Sequence, residues 1–287
     1  MTFHLVNDGV SAESSKLLNK ACQARDIAFQ EHQAAKFVYR PDVKLETGDM
    51  LFRVARSQRA IRAEQYLYKE GVSTFYRNPL GILDRCDNIL GKLDAHGVPT
   101  PQTYYINDIS PETLRYYVKE LGGYPLVLKV FQHASGVDVM RIDSDASLFS
   151  VLNYVASSGQ VPLLSTYITP AEHWHCVVVG NTVVASYLNP IGQDGFKTQR
   201  SKEKNQIHIG ADKELTDFAI KSAHVMGYDF AGIDILRHED GNTYVLDVNI
   251  TCDFSHAQTY GEIDVAGAMV DFLASKTLSK KLVDSVI

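Results

Sequence analysis

Tryptophan and cysteine are scarce in this 287-residue chain: Trp174 stands alone and there are four cysteines. Cys22, Cys86, Cys176 and Cys252 lie far apart with no Cys-x-x-Cys spacing. Neither a zinc site nor a disulfide framework is therefore supported. No apolar run reaches the roughly 20 residues that a bilayer-spanning helix needs, so no membrane partner is expected. The first nine residues have neither a basic stretch nor a long apolar core, which argues against a secretory leader. A reducing, cytoplasmic setting is the expectation. Basic charge is not in excess either. At a net charge of −6 the chain has no electrostatic reason to bind nucleic acid, which calls for a basic stripe. Repeats and low-complexity linkers are missing too. With 45% hydrophobic and 22% charged residues the composition is globular. The length suits one large enzyme domain or two to three packed lobes.

Apolar patterning organises the chain. Phe3 to Val6 reads as a short buried strand, followed by a helix over 11–25 with Ser11 as its N-cap. Strands are expected at 27–30 and 49–54 and a helix at 59–69, so the first 83 residues form a small α/β lobe with a mainly parallel sheet. A helix precedes Gly97-Val98-Pro99-Thr100-Pro101, where two prolines favour extended backbone. From Pro125 the texture turns to β. Strands are expected at 126–130, 137–142 and 162–168, with a helix over 145–157. Further strands at 174–179 and 182–187 flank the turn pair Gly180-Asn181. A helix over 214–226, strands at 230–237 and 243–249, and a terminal helix over 263–274 complete the pattern. The fold class is α/β followed by α+β lobes rich in antiparallel pairs.

Three groups of residues bear on chemistry. Strand alternation puts Asp234 opposite in direction to Ile233 and Ile235, and sets Asp247 and Asn249 on one shared face. A hairpin would bring these three oxygen-bearing side chains together, a set suited to Mg²⁺ held with substrate phosphates; a solvated polar hairpin face is the other reading. Lys129, inside Leu126-Val127-Leu128-Lys129-Val130, must either reach outward to solvent or meet an anion. The turn His133-Ala134-Ser135-Gly136 beyond it could offer backbone N–H groups to phosphates. His173 and His175 share a strand face, either as partial metal ligands or as surface and substrate contacts. Arg53, Arg56, Arg59 and Arg62 could bind an acidic substrate or form a solvated basic face. Cys252 and His256 would act as a nucleophile pair only if they touch.

Taken in order, Tyr124 to Phe131, His133 to Val139, Gly232-Ile233-Asp234-Ile235-Leu236 and Val245-Leu246-Asp247-Val248-Asn249 resemble the landmarks of the ATP-grasp superfamily. They are most similar to its RimK-like branch, glutamate-adding ligases related to glutathione synthetase and the lysine-biosynthesis ligases. The stretch 261–270 and Leu93 to Pro101 add to the resemblance, which covers about residues 84–275.

The resemblance implies an ATP-grasp domain over 84–287, with a central lobe at about 84–165, a C-terminal lobe at about 166–287, and a pre-ATP-grasp lobe at 1–83. It implies that Lys129 contacts the nucleotide phosphates, that Ser135 and Gly136 cover them, and that Thr166, Tyr167 and Ile168 meet the adenine through backbone groups. Asp234, Asp247 and Asn249 would hold Mg²⁺, or Mn²⁺. Lys197 or Arg200 would face the transferred phosphate or acyl group, unless that charge-rich loop is simply solvated.

The chain departs from the branch at several points. Thr166 stands where an acidic residue is usual, and Arg85 is the nearest replacement for a customary lysine. His173-Trp174-His175 replaces Asp-x-Arg, and His173 is counted with the nucleotide-binding positions. The activity implied is ATP-dependent joining of a small-molecule carboxylate to an amine through an acyl-phosphate. A catalytically degenerate nucleotide-binding protein and a small-molecule kinase are the alternatives. A homo-oligomer is compatible with the resemblance, since dimers and tetramers are common in that branch. The stretch from Thr251 to Ser255 is expected to line the acceptor pocket.

Overall fold

The structure, a computed structural model, describes residues 1–9, 11–83, 86, 88–130, 139–157, 159–192, 196, 207–208 and 211–284. β1 (Thr2–Asn7), β2 (Ala28–Gln33) and β3 (Met50–Arg53) form a parallel sheet in the order β2-β1-β3. β1 is buried from Phe3 to Asn7, as a central parallel strand covered on both faces must be. α1 (Ala12–Gln23) buries Leu18, Ala21 and Cys22 at helical spacing. α2 (Gln58–Leu67) begins at Ser57, whose hydroxyl accepts from the Ala60 N–H at 3.2 Å.

After α3 (Ile89–Ala95) comes an antiparallel sheet. It is built from β4 (Thr103–Tyr105), β5 (Leu126–Lys129), β6 (Val139–Ile142) and β7 (Leu163–Thr166) in the order β4-β7-β5-β6. α4 (Pro111–Glu120) and α5 (Asp145–Ser157) pack on it around Leu114, Leu126, Leu128, Leu148, Leu152 and Leu164.

The third sheet is five-stranded and antiparallel. It holds β8 (Ala171–Val179), β9 (Thr182–Leu188), β10 (Ile207–His208), β11 (Phe230–His238) and β12 (Thr243–Asn249) in the order β10-β9-β8-β11-β12. β8 and β9 turn at Gly180, whose φ of +62° is a conformation that glycine adopts without a Cβ clash. One face packs Cys176, Val178, Ile233 and Val245 on α6 (Lys213–Met226). The other packs Val177, Tyr187 and Phe230 on Phe3 and Phe52 of the first sheet, with α7 (Ser255–Gly261) and α8 (Val265–Asp284). The parallel sheet and the large sheet thus share one core. Among the described residues no helix is long and apolar enough to cross a membrane.

Several sequence expectations need correction. Ser11 stands at the start of α1 but does not cap it through its side chain; its hydroxyl bonds Ser14 Oγ at 2.6 Å instead. The terminal helix runs to Asp284, ten residues past the expected end. Its polar continuation is held by distant partners: Lys276 Nζ donates to Thr74 O, Tyr76 O and Asp229 Oδ2 at 2.8–2.9 Å. α7 was not anticipated. Arg53 is no surface cation, because its Nε donates to Glu64 Oε2 at 2.8 Å with both side chains buried. Arg56 and Arg59 are exposed, and Arg59 pairs with Asp8 at 2.7 Å.

Candidate active site

The β11–β12 hairpin sets the geometry. Asp234 lies directly across from Asp247, and Gly232 across from Asn249. A register shift follows, so that Ile235 faces Val245 and Leu246 is skipped. This bulge lets Val245 join the core beneath the sheet while Asp247 and Asn249 stay on the opposite face. Bulges commonly re-aim side chains in this way beside active sites. Strand alternation predicted the shared face of Asp247 and Asn249; the bulge had no signal in the sequence.

On the other side of β11, Asp234 faces His175 of β8, and His175 faces Tyr187 of β9. One ladder row therefore reads Tyr187, His175, Asp234, Asp247 across four strands. The His175 and Asp234 side chains meet at 2.7 Å, Nδ1 to Oδ1. His173 lies farther along β8, with Nε2 4.0 Å from the same oxygen. Asn249 Nδ2 donates to Asp247 Oδ2 at 2.7 Å, and the Val248 N–H donates to Oδ1 at 2.8 Å. Because the Asn249 amide donates through its nitrogen, its carbonyl oxygen remains an acceptor.

The two carboxylates differ electrostatically. Burial works against ionisation of Asp234, but the His175 contact, His173 and Lys129 outweigh it and hold the group at about 2. Burial and the neighbouring Asp234 charge push the Asp247 carboxyl up; the Asn249 bond, Lys129 and the Val248 N–H only partly offset this. Directly opposed strand residues are roughly 4.5–5.5 Å apart at Cα. Both carboxylates on this shared face repel one another when ionised. A divalent cation would relieve that repulsion. Two carboxylates and an amide carbonyl are hard oxygen donors, so the set fits Mg²⁺.

Lys129 reaches this row from the other sheet. Leu126 and Leu128 turn into the core of their own lobe, so alternation leaves Val127 and Lys129 on the opposite face. Lys129 is half-buried. Burial pushes its ammonium below the ordinary lysine value, while Asp247 and Asp234 pull it back. The lysine and the carboxylate row therefore face one another across the gap between two sheets.

The linker from β7 to β8 spans that gap. The Thr166 N–H donates to Gln102 O at 3.1 Å. The Tyr167 ring meets Phe196 edge-on at 5.6 Å, with Arg141 5.4 Å from its centroid. Lys197, Arg200, Ser135 and Gly136 lie outside the described residues, as does Arg85.

Cys252 is buried in the shared core. Burial pushes the Cys176 thiol up to about 12, which leaves it inert at neutral pH. Thr251 Oγ1 accepts from Arg56 Nε at 3.0 Å, joining the end of β12 to the first lobe. Sequence reasoning missed the part His175 plays in the row. Its only signal was an even spacing from His173.

Comparison with known proteins adds three findings. Residues 85–273 match the model of the RimK-like ATP-grasp domain. A probable alpha-L-glutamate ligase of Saccharophagus degradans is 28% identical over 183 residues, 63% of this chain and 60% of that protein. The chain thus spans about three-fifths of the length of this curated relative. Among solved structures, D-cycloserine synthetase DcsG superposes with a TM-score of 0.72 at 17% identity, covering 96% of this chain and 100% of that one. The ATP-grasp ligase PsnB, complexed with a phosphomimetic variant of minimal precursor, Mg and ADP, gives 0.68 at 17% identity, covering 96% and 99%.

Proposed function

Since this chain belongs to the RimK-like ATP-grasp family and has the ATP-grasp fold, we propose that it is an ATP-dependent carboxylate–amine ligase acting on an amino acid or short peptide. The observation that carries the proposal is the row of Asp234 and Asp247, with Asn249, facing Lys129 across two sheets. On this reading residues 1–83 form the pre-ATP-grasp lobe and 84–287 the ATP-grasp domain.

The substrate carboxylate attacks the γ-phosphorus of ATP, the bond to ADP breaks, and an acyl-phosphate forms. A neutral amine then attacks the acyl carbon, releases phosphate, sheds a proton and leaves an amide. When bound, Mg²⁺ neutralises charge on the phosphate oxygens. The protein's own part is positioning. Asp234, Asp247 and the Asn249 carbonyl would offer the oxygens to hold the ion, and Lys129 would bind a phosphate oxygen. Thr166, Tyr167 and Ile168 would present backbone groups to the adenine, and His173 is assigned to the same nucleotide site, on family resemblance. Lys197 or Arg200 is assigned to the transferred phosphate, and Ser135 and Gly136 to the loop covering the nucleotide, both on family resemblance. The names of the relatives, a probable alpha-L-glutamate ligase and a peptide-bound ligase, support L-glutamate and short peptides as first candidates.

The test is ADP release over a panel of amino acids and peptides. Amine-dependent ADP with an amide product supports the ligase. Nucleotide binding without turnover would mark a degenerate module, and a phosphorylated product that persists without amine would mark a kinase. Asp247→Asn is expected to cut turnover roughly 10²-fold or more, because losing a charge-stabilising ligand removes several kcal/mol. The same change removes one of two repelling carboxylates, so the ligand-free protein should melt no lower than the parent. Unchanged turnover would refute the metal assignment.

A further inference from the structure

His175 is not among the residues assigned above to nucleotide, metal or substrate. It sits in the middle of the ladder row, and its side chain is 11% exposed. Three contacts fix its ring. Nδ1 meets Asp234 Oδ1 at 2.7 Å. The ring lies against Tyr187, centroid to centroid 5.0 Å at 30°. Tyr187 is 1% exposed and is itself backed by His256 at 5.1 Å. The third contact is made possible by a glycine. A Cβ on Gly232 would stand 2.8 Å from His175 Cε1 and Nε2 and 2.4 Å from Cys252 Cβ. The ring edge therefore fills the space over Gly232, and any larger residue there would displace it.

These contacts decide what His175 can do. The 2.7 Å spacing lets Nδ1, in the tautomer that carries its proton there, donate to Asp234 Oδ1. Nε2 is turned into the space over Gly232, where it has no hydrogen-bond partner among the described residues. Among the described residues His175 is the hydrogen-bond partner of Asp234, and it engages Oδ1 alone. Among the described residues no hydrogen bond engages Oδ2, the oxygen that would face an ion. A ligating carboxylate is commonly held by such an outer partner, and removing the partner typically costs about 10–100-fold in metal affinity or activity.

We propose that His175 is a positioning residue that fixes the Asp234 carboxylate for the divalent cation, with Gly232 and Tyr187 forming its seat. The idea rests on the assignment of Asp234 as a metal ligand and adds to it the residue that aims it.

The test compares two amides at position 175, with Mn²⁺ binding read by electron paramagnetic resonance in the presence of saturating ADP. In His175→Asn the amide nitrogen stands where Nδ1 stood and can still donate to Asp234. In His175→Gln it stands near the old Nε2 position and cannot. The expectation is Mn²⁺ affinity within about threefold of the parent for His175→Asn and weaker by roughly 10–100-fold for His175→Gln. Melting temperatures of both variants show that each is folded. Equal affinities in the two variants, or parent-like binding by His175→Gln, would overturn the role given to His175. Failure of the parent to take up Mn²⁺ would instead remove the metal site itself, a distinguishable result.

Discussion

His4 and His32 stack in the parallel sheet with ring centroids 5.3 Å apart, joined by a 3.0 Å contact between His4 Nδ1 and His32 Nε2. Asp49 lies 3.4 Å from His4 Nε2 on the other side. Both rings are buried, and burial together with the His4 charge holds His32 down to about 4. An unfolded chain binds a proton at that histidine near pH 6.5, whereas the folded one does so only near pH 4. The unfolded state is thus favoured by acid within this window. The penalty is absent above pH 6.5, grows as the pH falls and is complete below about 4, reaching on the order of 3 kcal/mol. Melting temperature is therefore expected to climb from pH 4 to 6.5 and then level off, and His32→Gln should flatten the climb. An unchanged slope in the variant would assign the effect to other groups. The same scale governs the site, where His175, His173 and Lys129 together hold the Asp234 carboxyl down while burial and the Asp234 charge push that of Asp247 up. None of this is legible in a linear sequence, because each shift depends on which charge lies across the strand.

Secondary-structure elements are tied by polar pairs as well as by apolar faces. β3 and α2 are locked by Arg53 and Glu64, with the Tyr76 hydroxyl donating to Glu64 Oε2 at 3.1 Å. Removing one member of a buried pair leaves the other charge unpaired, at a cost of roughly 3–5 kcal/mol. Glu64→Gln is expected to lower the unfolding free energy measured by chemical denaturation by that amount. Turnover per folded molecule should stay at the parent level, since Glu64 belongs to the first lobe. The sequence offered Arg53 as an exposed cation because a basic residue at a strand end is usually solvated. Its partner is eleven positions away on a helix, outside any local pattern. Strands and helices themselves were largely legible: β11, β12, α5 and α6 begin and end within a residue or so of their sequence-based bounds. Their periodicities are strong and local. α7 and the far half of α8 were not, because long-range contacts from residues such as Lys276 hold them.

The whole molecule is organised by cores of unequal reach. The parallel sheet, the large sheet, α1, α7 and α8 share one core, whereas the sheet of β4 to β7 has its own, drawn from residues 106–164. A lobe with a separate core can open without unfolding the rest. Amide hydrogen exchange in β5 and β7 is therefore expected to be faster than in β1, β8 and β11. Mg-ATP should slow it selectively, because Lys129 would then be anchored to the carboxylate row through the phosphates. Uniform protection across all three sheets, or protection unaffected by nucleotide, would contradict this picture. The sequence suggested where the lobes divide but not that the first lobe and the large sheet fuse their interiors. That depends on Phe3, Phe52 and Phe230 meeting across more than two hundred residues.

By itself the sequence determined most of the elements, the hairpins and the placing of Asp247 and Asn249 on one strand face, because all of these follow from periods of two and 3.6 residues. It also carried the family resemblance, through short strings that keep their order. Tertiary structure alone decided that this face looks into a cleft toward Lys129, that Arg53 is an internal ion pair, and that His175 is wedged over Gly232 to hold Asp234. Each of these is a contact between elements far apart in the chain. Burial and the neighbouring charge, which no local pattern encodes, set its strength.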